Sequence, residues 1–111
     1  MNLSMPTDSF AAAAKESVGI DKFMWGSDYP HDEGTYPFSR EALRQVFSDW
    51  SPEDMQKILT DNVAKLYDFD VKALEPLADK FGPTQAELAQ PLLELPENPN
   101  EALLRARVPA A

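Results

Sequence analysis

Apolar positions recur at helical spacing over most of this chain, with one short exception. Leu43, Val46, Phe47 and Trp50 fall at i, i+3, i+4 and i+7, the stripe of a helix that faces a core. Ser39 stands at the expected N-cap of that helix, and Glu41 in the first turn complements its dipole. A second helix restarts at Ser51-Pro52-Glu53-Asp54, with Pro52 suited to the first position and Asp54 completing a capping-box pattern. Its apolar face is Met55, Ile58, Leu59, Val63, Leu66 and Tyr67, with a break expected near Asp61-Asn62. Asp70 caps a third stripe of Leu74, Leu77, Ala78 and Phe81, stopped by Gly82-Pro83. Thr84 to Glu87 forms one more capping box, for a short helical turn before Pro91. Near the start, Asp8 to Ser17 reads as an alanine-rich helix capped by Thr7 or Asp8 and ended at Gly19. Phe10, Ala13, Ala14 and Val18 are its weak stripe.

The exception is Lys22 to Trp25, too short for a helix before Gly26 and read as a buried strand. Asp28 to Ser39 then holds turn formers and aromatics, among them Pro30, Asp32, Gly34 and Pro37. A loop of roughly a dozen residues is long enough to carry function. One strand among helices has no partner for its backbone N–H and C=O groups, which are costly to bury unpaired. Either Lys22 to Trp25 pairs with strands outside this chain, or it is not a strand here. The order helix, strand, loop, helices fits the closing section of a larger α/β protein. Pro91, Pro96, Pro99 and Pro109 punctuate a tail expected to lie over a surface. The pattern divides the chain into residues 1–70 and a C-terminal helical extension, 71–111.

Composition narrows the classes. With 43% hydrophobic and 26% charged residues this is globular material, and 111 residues allow one small domain with a modest core. Nineteen acids against ten bases leave a net charge of −9, which argues against nucleic acid or an anionic membrane as partner. No cysteine is present, so disulfides and thiolate metal sites are excluded. Met1 to Pro6 lacks the features of a secretory leader and no apolar run spans a bilayer, so a cytoplasmic location is expected.

Chemistry concentrates in Trp25-Gly26-Ser27-Asp28-Tyr29-Pro30-His31. A carboxylate at the end of a buried strand stands where α/β enzymes do their chemistry, and the chain's only histidine follows three residues later. That motif, with Glu33-Gly34-Thr35-Tyr36-Pro37 after it and Ile58-Leu59-Thr60-Asp61-Asn62-Val63-Ala64-Lys65-Leu66-Tyr67 downstream, resembles the amidohydrolase-related metal-dependent hydrolases. These TIM-barrel proteins (amidohydrolase family 2) include the aminocarboxymuconate-semialdehyde decarboxylase type. The resemblance covers about Gly19 to Phe69 and implies that Lys22 to Trp25 is the eighth barrel strand, with Asp28 at its C-terminal mouth.

By that resemblance, Asp28 is both the metal residue and the catalytic residue that handles a proton from the attacking water. A hard anionic oxygen suits a divalent metal, and a carboxylate beside activated water can accept its proton. The metal implied is divalent, with zinc favoured. His31 and Tyr29 are candidates to line the substrate pocket. The family's His-x-His motif is absent, a catalytic zinc needs about three protein ligands, and a full barrel takes roughly 250 residues. The expected fold is therefore α/β: the C-terminal segment of a (β/α)8 barrel, its last strand and following helices, mostly helical on its own.

Each candidate also has a plainer role. Asp28 can make an Asx turn, His31 can be a hydrogen-bonded loop histidine, and Asp32 and Glu33 can be the charged turn around Gly34. A local metal cluster of Asp28, His31, Asp32 and Glu33 matches no known ligand spacing. Glu94, Glu97 and Glu101 read as a solvated face. The expected function is a piece of a metal-dependent amidohydrolase-like enzyme acting on a small molecule, by hydrolysis of a C–N or C–O bond or by decarboxylation, and inactive alone. Its expected partner is the rest of the barrel or a second copy. The rival is a non-catalytic helical interaction module, or a truncated gene product with no activity of its own.

Overall fold

The computed structural model describes residues 16–17 and 19–105. Residues 16–17 are helical, and the rest of the helix expected from Asp8 lies outside the described residues, apart from Gly19 at its end. Six helices follow: α1 (Ser39–Phe47), α2 (Pro52–Gln56), α3 (Asn62–Tyr67), α4 (Val71–Phe81), α5 (Gln85–Leu88) and α6 (Glu101–Arg105). A π-helical turn, Lys57–Asp61, joins α2 to α3 without a break in the helical path, and a 3₁₀ turn spans Ile20–Lys22.

The caps follow the side-chain chemistry at three of the four expected positions. Ser51 accepts from the Asp54 N–H ahead of Pro52, Asp70 accepts from Ala73, and Thr84 accepts from Glu87. Each satisfies one donor that a helix start leaves open. Ser39 departs from expectation. It is already helical, Phe38 precedes it, and no side chain caps α1. Its hydroxyl instead pairs with the buried Thr35 hydroxyl at 2.7 Å, which would otherwise lack a partner.

The main core is the α1 stripe closed by the segment before it, by α2 with its π turn, and by α5. Leu43, Val46 and Phe47 pack with Phe23, Met55, Ile58 and Leu88, and Ile20, Trp25, Trp50 and Leu59 border the cluster. Phe47 is fully buried, with Trp50 edge-on to it at 4.8 Å between ring centres. A smaller cluster joins Ala42 to Leu92 and Leu103, flanked by Phe38, and this is where the proline-punctuated tail folds back. The second stripe closes on this core through Met55 and Ile58 with Leu59 beside them, while its far end and the third stripe face solvent. Leu66 and Tyr67 of the second apolar face, Leu74, Leu77 and Phe81 of the third, and Phe69 between them are all exposed. Pro76 sits inside α4, although it removes one backbone donor there.

Lys22 to Trp25 is not a strand of a sheet among the described residues. Lys22 ends the 3₁₀ turn, Phe23 is extended, and only Met24 shows a single bridge. The backbone groups that a sheet would pair go to α2–α3 instead. In the π turn the Asn62 N–H bonds the Lys57 carbonyl, and the Ile58 carbonyl accepts the Trp25 N–H at 3.0 Å. The Asn62 side-chain amide donates to the carbonyls of Ile20 and Phe23. Lys57 also pairs with Asp21 at 3.2 Å.

The burial pattern separates the two kinds of apolar residue. Phe47→Ala should lower stability by about 3–5 kcal/mol through transfer and cavity terms. Leu77→Ala, at an exposed site, should change it by less than about 0.5 kcal/mol. Urea unfolding of the two variants against wild type checks both values, and comparable losses would contradict this core.

Candidate functional site

Two consecutive turns set the geometry after Trp25. Asp28 is in the left-handed region at φ 58°, and its carbonyl accepts the His31 N–H at 2.9 Å. Aspartate is among the few non-glycine residues that populate this region with any frequency. The His31 carbonyl then accepts from Gly34 at 3.0 Å, and the Thr35 N–H closes the loop on the Ser27 carbonyl at 3.0 Å. Tyr29-Pro30 and Tyr36-Pro37 are both cis.

Gly34 is required here by space. A Cβ on it would lie 2.8 Å from the Ser27 carbonyl oxygen and 3.0 Å from those of Asp28 and His31. Three carbonyls thus converge on a position that tolerates only hydrogen.

These turns bring side chains together. His31 Nδ1 is 3.3 Å from each oxygen of the Asp28 carboxylate. Glu33 completes a group in which one ligand atom from each of Asp28, His31 and Glu33 lies within 4.8 Å of the others. The Asp28 side chain is 31% exposed and that of His31 69%, so their pairing is screened by solvent and is a weak stabiliser by itself. When Nδ1 carries the proton it donates to Asp28, leaving Nε2 as an acceptor.

Of the four groups considered for a local cluster, Asp32 is the one not brought in. A shallow depression of about 470 Å³ lies here, lined by Pro30, His31, Asp32 and Glu33. Of the residues singled out from the sequence, His31 therefore lines it, and Asp28 and Tyr29 do not. The Tyr29 ring meets Tyr36 edge-on at 5.3 Å, and its N–H donates to the Ser27 hydroxyl.

Several residues that hold this loop carried only faint signals. Asn62 lies within Ile58 to Tyr67, where nothing in the local pattern marks its amide for the Ile20 and Phe23 carbonyls. Asn100 precedes Glu101-Ala102-Leu103, an N-cap signature, and its oxygen does accept the Leu103 N–H at 3.1 Å. The same side chain donates to the carbonyls of Gly34, Thr35 and Tyr36 at 3.0–3.5 Å, a contact across more than sixty residues that local pattern does not encode.

The donor set suits a divalent cation. Two ligands about 2.0–2.1 Å from a tetrahedral zinc lie roughly 3.3–3.4 Å apart, the spacing found between Asp28 and His31. The protein-family model for amidohydrolase matches residues 6–69, more than half of the chain, and the chain belongs to that family. Membership implies a TIM-barrel context, a hydrolase type of enzyme and a general dependence on metal. No curated protein and no solved structure matches the chain. No helix among the described residues is long and apolar enough to cross a membrane.

Gly34→Ala should force the Ser27–Thr35 loop open and cost about 1–3 kcal/mol of stability, as overpacking does. Backbone amide shifts of residues 27–35 report the opening, and unchanged shifts with unchanged stability would contradict the close approach.

Proposed function

We propose that this chain supplies the Asp28 loop of a metal-dependent amidohydrolase-type enzyme that hydrolyses a C–N or C–O bond in a small molecule. The observation that supports this reading is the convergence of Asp28, His31 and Glu33 inside the region that matches the amidohydrolase model. Zinc is the metal proposed, held from this chain by the Asp28 carboxylate with His31 and Glu33 beside it. Bound there, a divalent metal supplies Lewis acidity to water and to the scissile group.

The chain's own residues act beside it. Asp28 takes the proton of the attacking water on a carboxylate oxygen and passes it to the leaving group. His31, in contact with that carboxylate, orients it and offers Nε2 to the depression. The Tyr29–Tyr36 pair flanks the loop as an apolar wall for the substrate. Decarboxylation of a carboxylated ring or enal draws on the same metal and the same aspartate, and belongs to this proposal as its second reaction.

The proposal includes partners. Phe23 to Trp25 is the barrel's last strand in the whole enzyme, and further strands supply the remaining histidine ligands. The chain has one histidine, so it is not expected to turn substrate over alone.

The test is zinc binding by the isolated chain, followed by calorimetry. Wild type should bind one zinc, and Asp28→Asn should weaken it about ten-fold or more, roughly 1.4 kcal/mol. Equal affinity in the two proteins would remove Asp28 from the metal, and no binding at all would remove the cluster.

A further inference from the structure

We propose that Asn62 and Asn100 are a matched pair of positioning residues that grip the two ends of the Asp28 loop. Asn62 lies on α3, in the motif that the metal chemistry leaves unused. Its amide donates to the carbonyls of Ile20 and Phe23, five and more residues before Asp28. The neighbouring Ile58 carbonyl takes the Trp25 N–H, so three backbone groups of the entering segment are held by one helical turn. Asn100 grips the exit. Its amide faces the carbonyls of Gly34, Thr35 and Tyr36, while its oxygen caps α6.

Between these grips the loop is fixed by its own turns and by the Thr35 N–H bond to Ser27. Neither asparagine belongs to the Asp28, His31 and Glu33 group, so each acts on the site only through backbone. Both side chains are partly buried at these contacts, and primary amides are the neutral side chains that donate to several carbonyls at once. A carboxylate of the same shape turns every one of those donations into repulsion. In Asn100 the exchange separates two tasks, because an aspartate still caps α6 and only the grip on residues 34–36 is lost. The role of the grip in metal binding rests on the function proposed above; the grip itself does not.

The experiment uses the full chain, whose sole histidine gives a single Cε1–H cross-peak in a proton–carbon spectrum. Asn62→Asp and Asn100→Asp are compared at fixed pH with Leu88→Ala, a core variant that packs in the cluster with Phe23 but makes none of the hydrogen bonds that hold the loop. The expected result is that both asparagine variants move the His31 cross-peak toward that of free histidine and weaken zinc binding three-fold or more. Leu88→Ala should lower the melting temperature and leave the cross-peak in place. Asn62→Ser, which removes the amide without adding charge, is the second variant where Asn62→Asp does not fold. An unmoved cross-peak in folded asparagine variants overturns the proposal, as does an equal shift in Leu88→Ala. Wild type that binds no zinc overturns the metal reading alone, and the His31 signal still decides the grip.

Discussion

The Ile58 carbonyl, bonded to the Trp25 N–H, is the contact on which the arrangement of this chain turns. A regular α-helix would use the carbonyl of residue 58 for the N–H of residue 62. The π turn moves the Asn62 N–H to Lys57 instead, and the Ile58 oxygen then meets an extended segment that forms no sheet among the described residues. Asn62, placed by the same turn, supplies two donors for the segment's carbonyls. Buried backbone groups must be paired, and here one helical irregularity does what a neighbouring strand would do. Phe23 enters the core as a result, and the loop that follows starts from a fixed point.

The far end of the loop depends on the C-terminal extension, which is stitched to α1 by its polar face. Arg40 donates from Nη1 to both oxygens of Glu87 at 2.8 and 3.0 Å and from Nη2 to the Phe81 carbonyl. Arg44, one turn later, donates to the carbonyls of Gln90 and Pro91 at 2.8 and 3.0 Å. Two arginines at i and i+4 thus bind the ends of α4 and α5 and the start of the tail, and Leu92 and Leu103 then close over Ala42. The fixed guanidinium fork suits this use, since several carbonyls that leave helix ends open are met by one side chain. Asn100 arrives at the loop because of this path. The extension is therefore part of the scaffold of the Asp28 loop.

The site and the surface point in the same direction. The Asp28, His31 and Glu33 group is open to solvent on one side, where charges are screened and ligands are held weakly. The apolar residues of α3 and α4 are likewise exposed over a wide face. Both features suit a family whose chemistry sits inside a barrel, where further strands wall the metal and cover apolar surface.

By itself the sequence determined what local physics decides: most of the helices, three of their caps, the α1 core stripe, and the loop in which Asp28 and His31 meet. These follow from side-chain periodicity and from short-range bonds, and Asp28 to His31 is a separation of three residues. The two motifs around that loop were also enough to indicate the amidohydrolase family. Tertiary structure alone decided where the lone extended segment finds its hydrogen bonds, since an Asn62-to-Phe23 contact has no local signature. It decided that Ser39 serves Thr35 in place of capping, because a buried hydroxyl needed a partner. It also decided which parts of three similar apolar stripes enter a core, for periodicity shows that a face is apolar and never shows what lies opposite. Long-range polar contacts cost chain entropy to close and leave no period behind, which is why Asn62 and Asn100 stayed silent until the fold placed them.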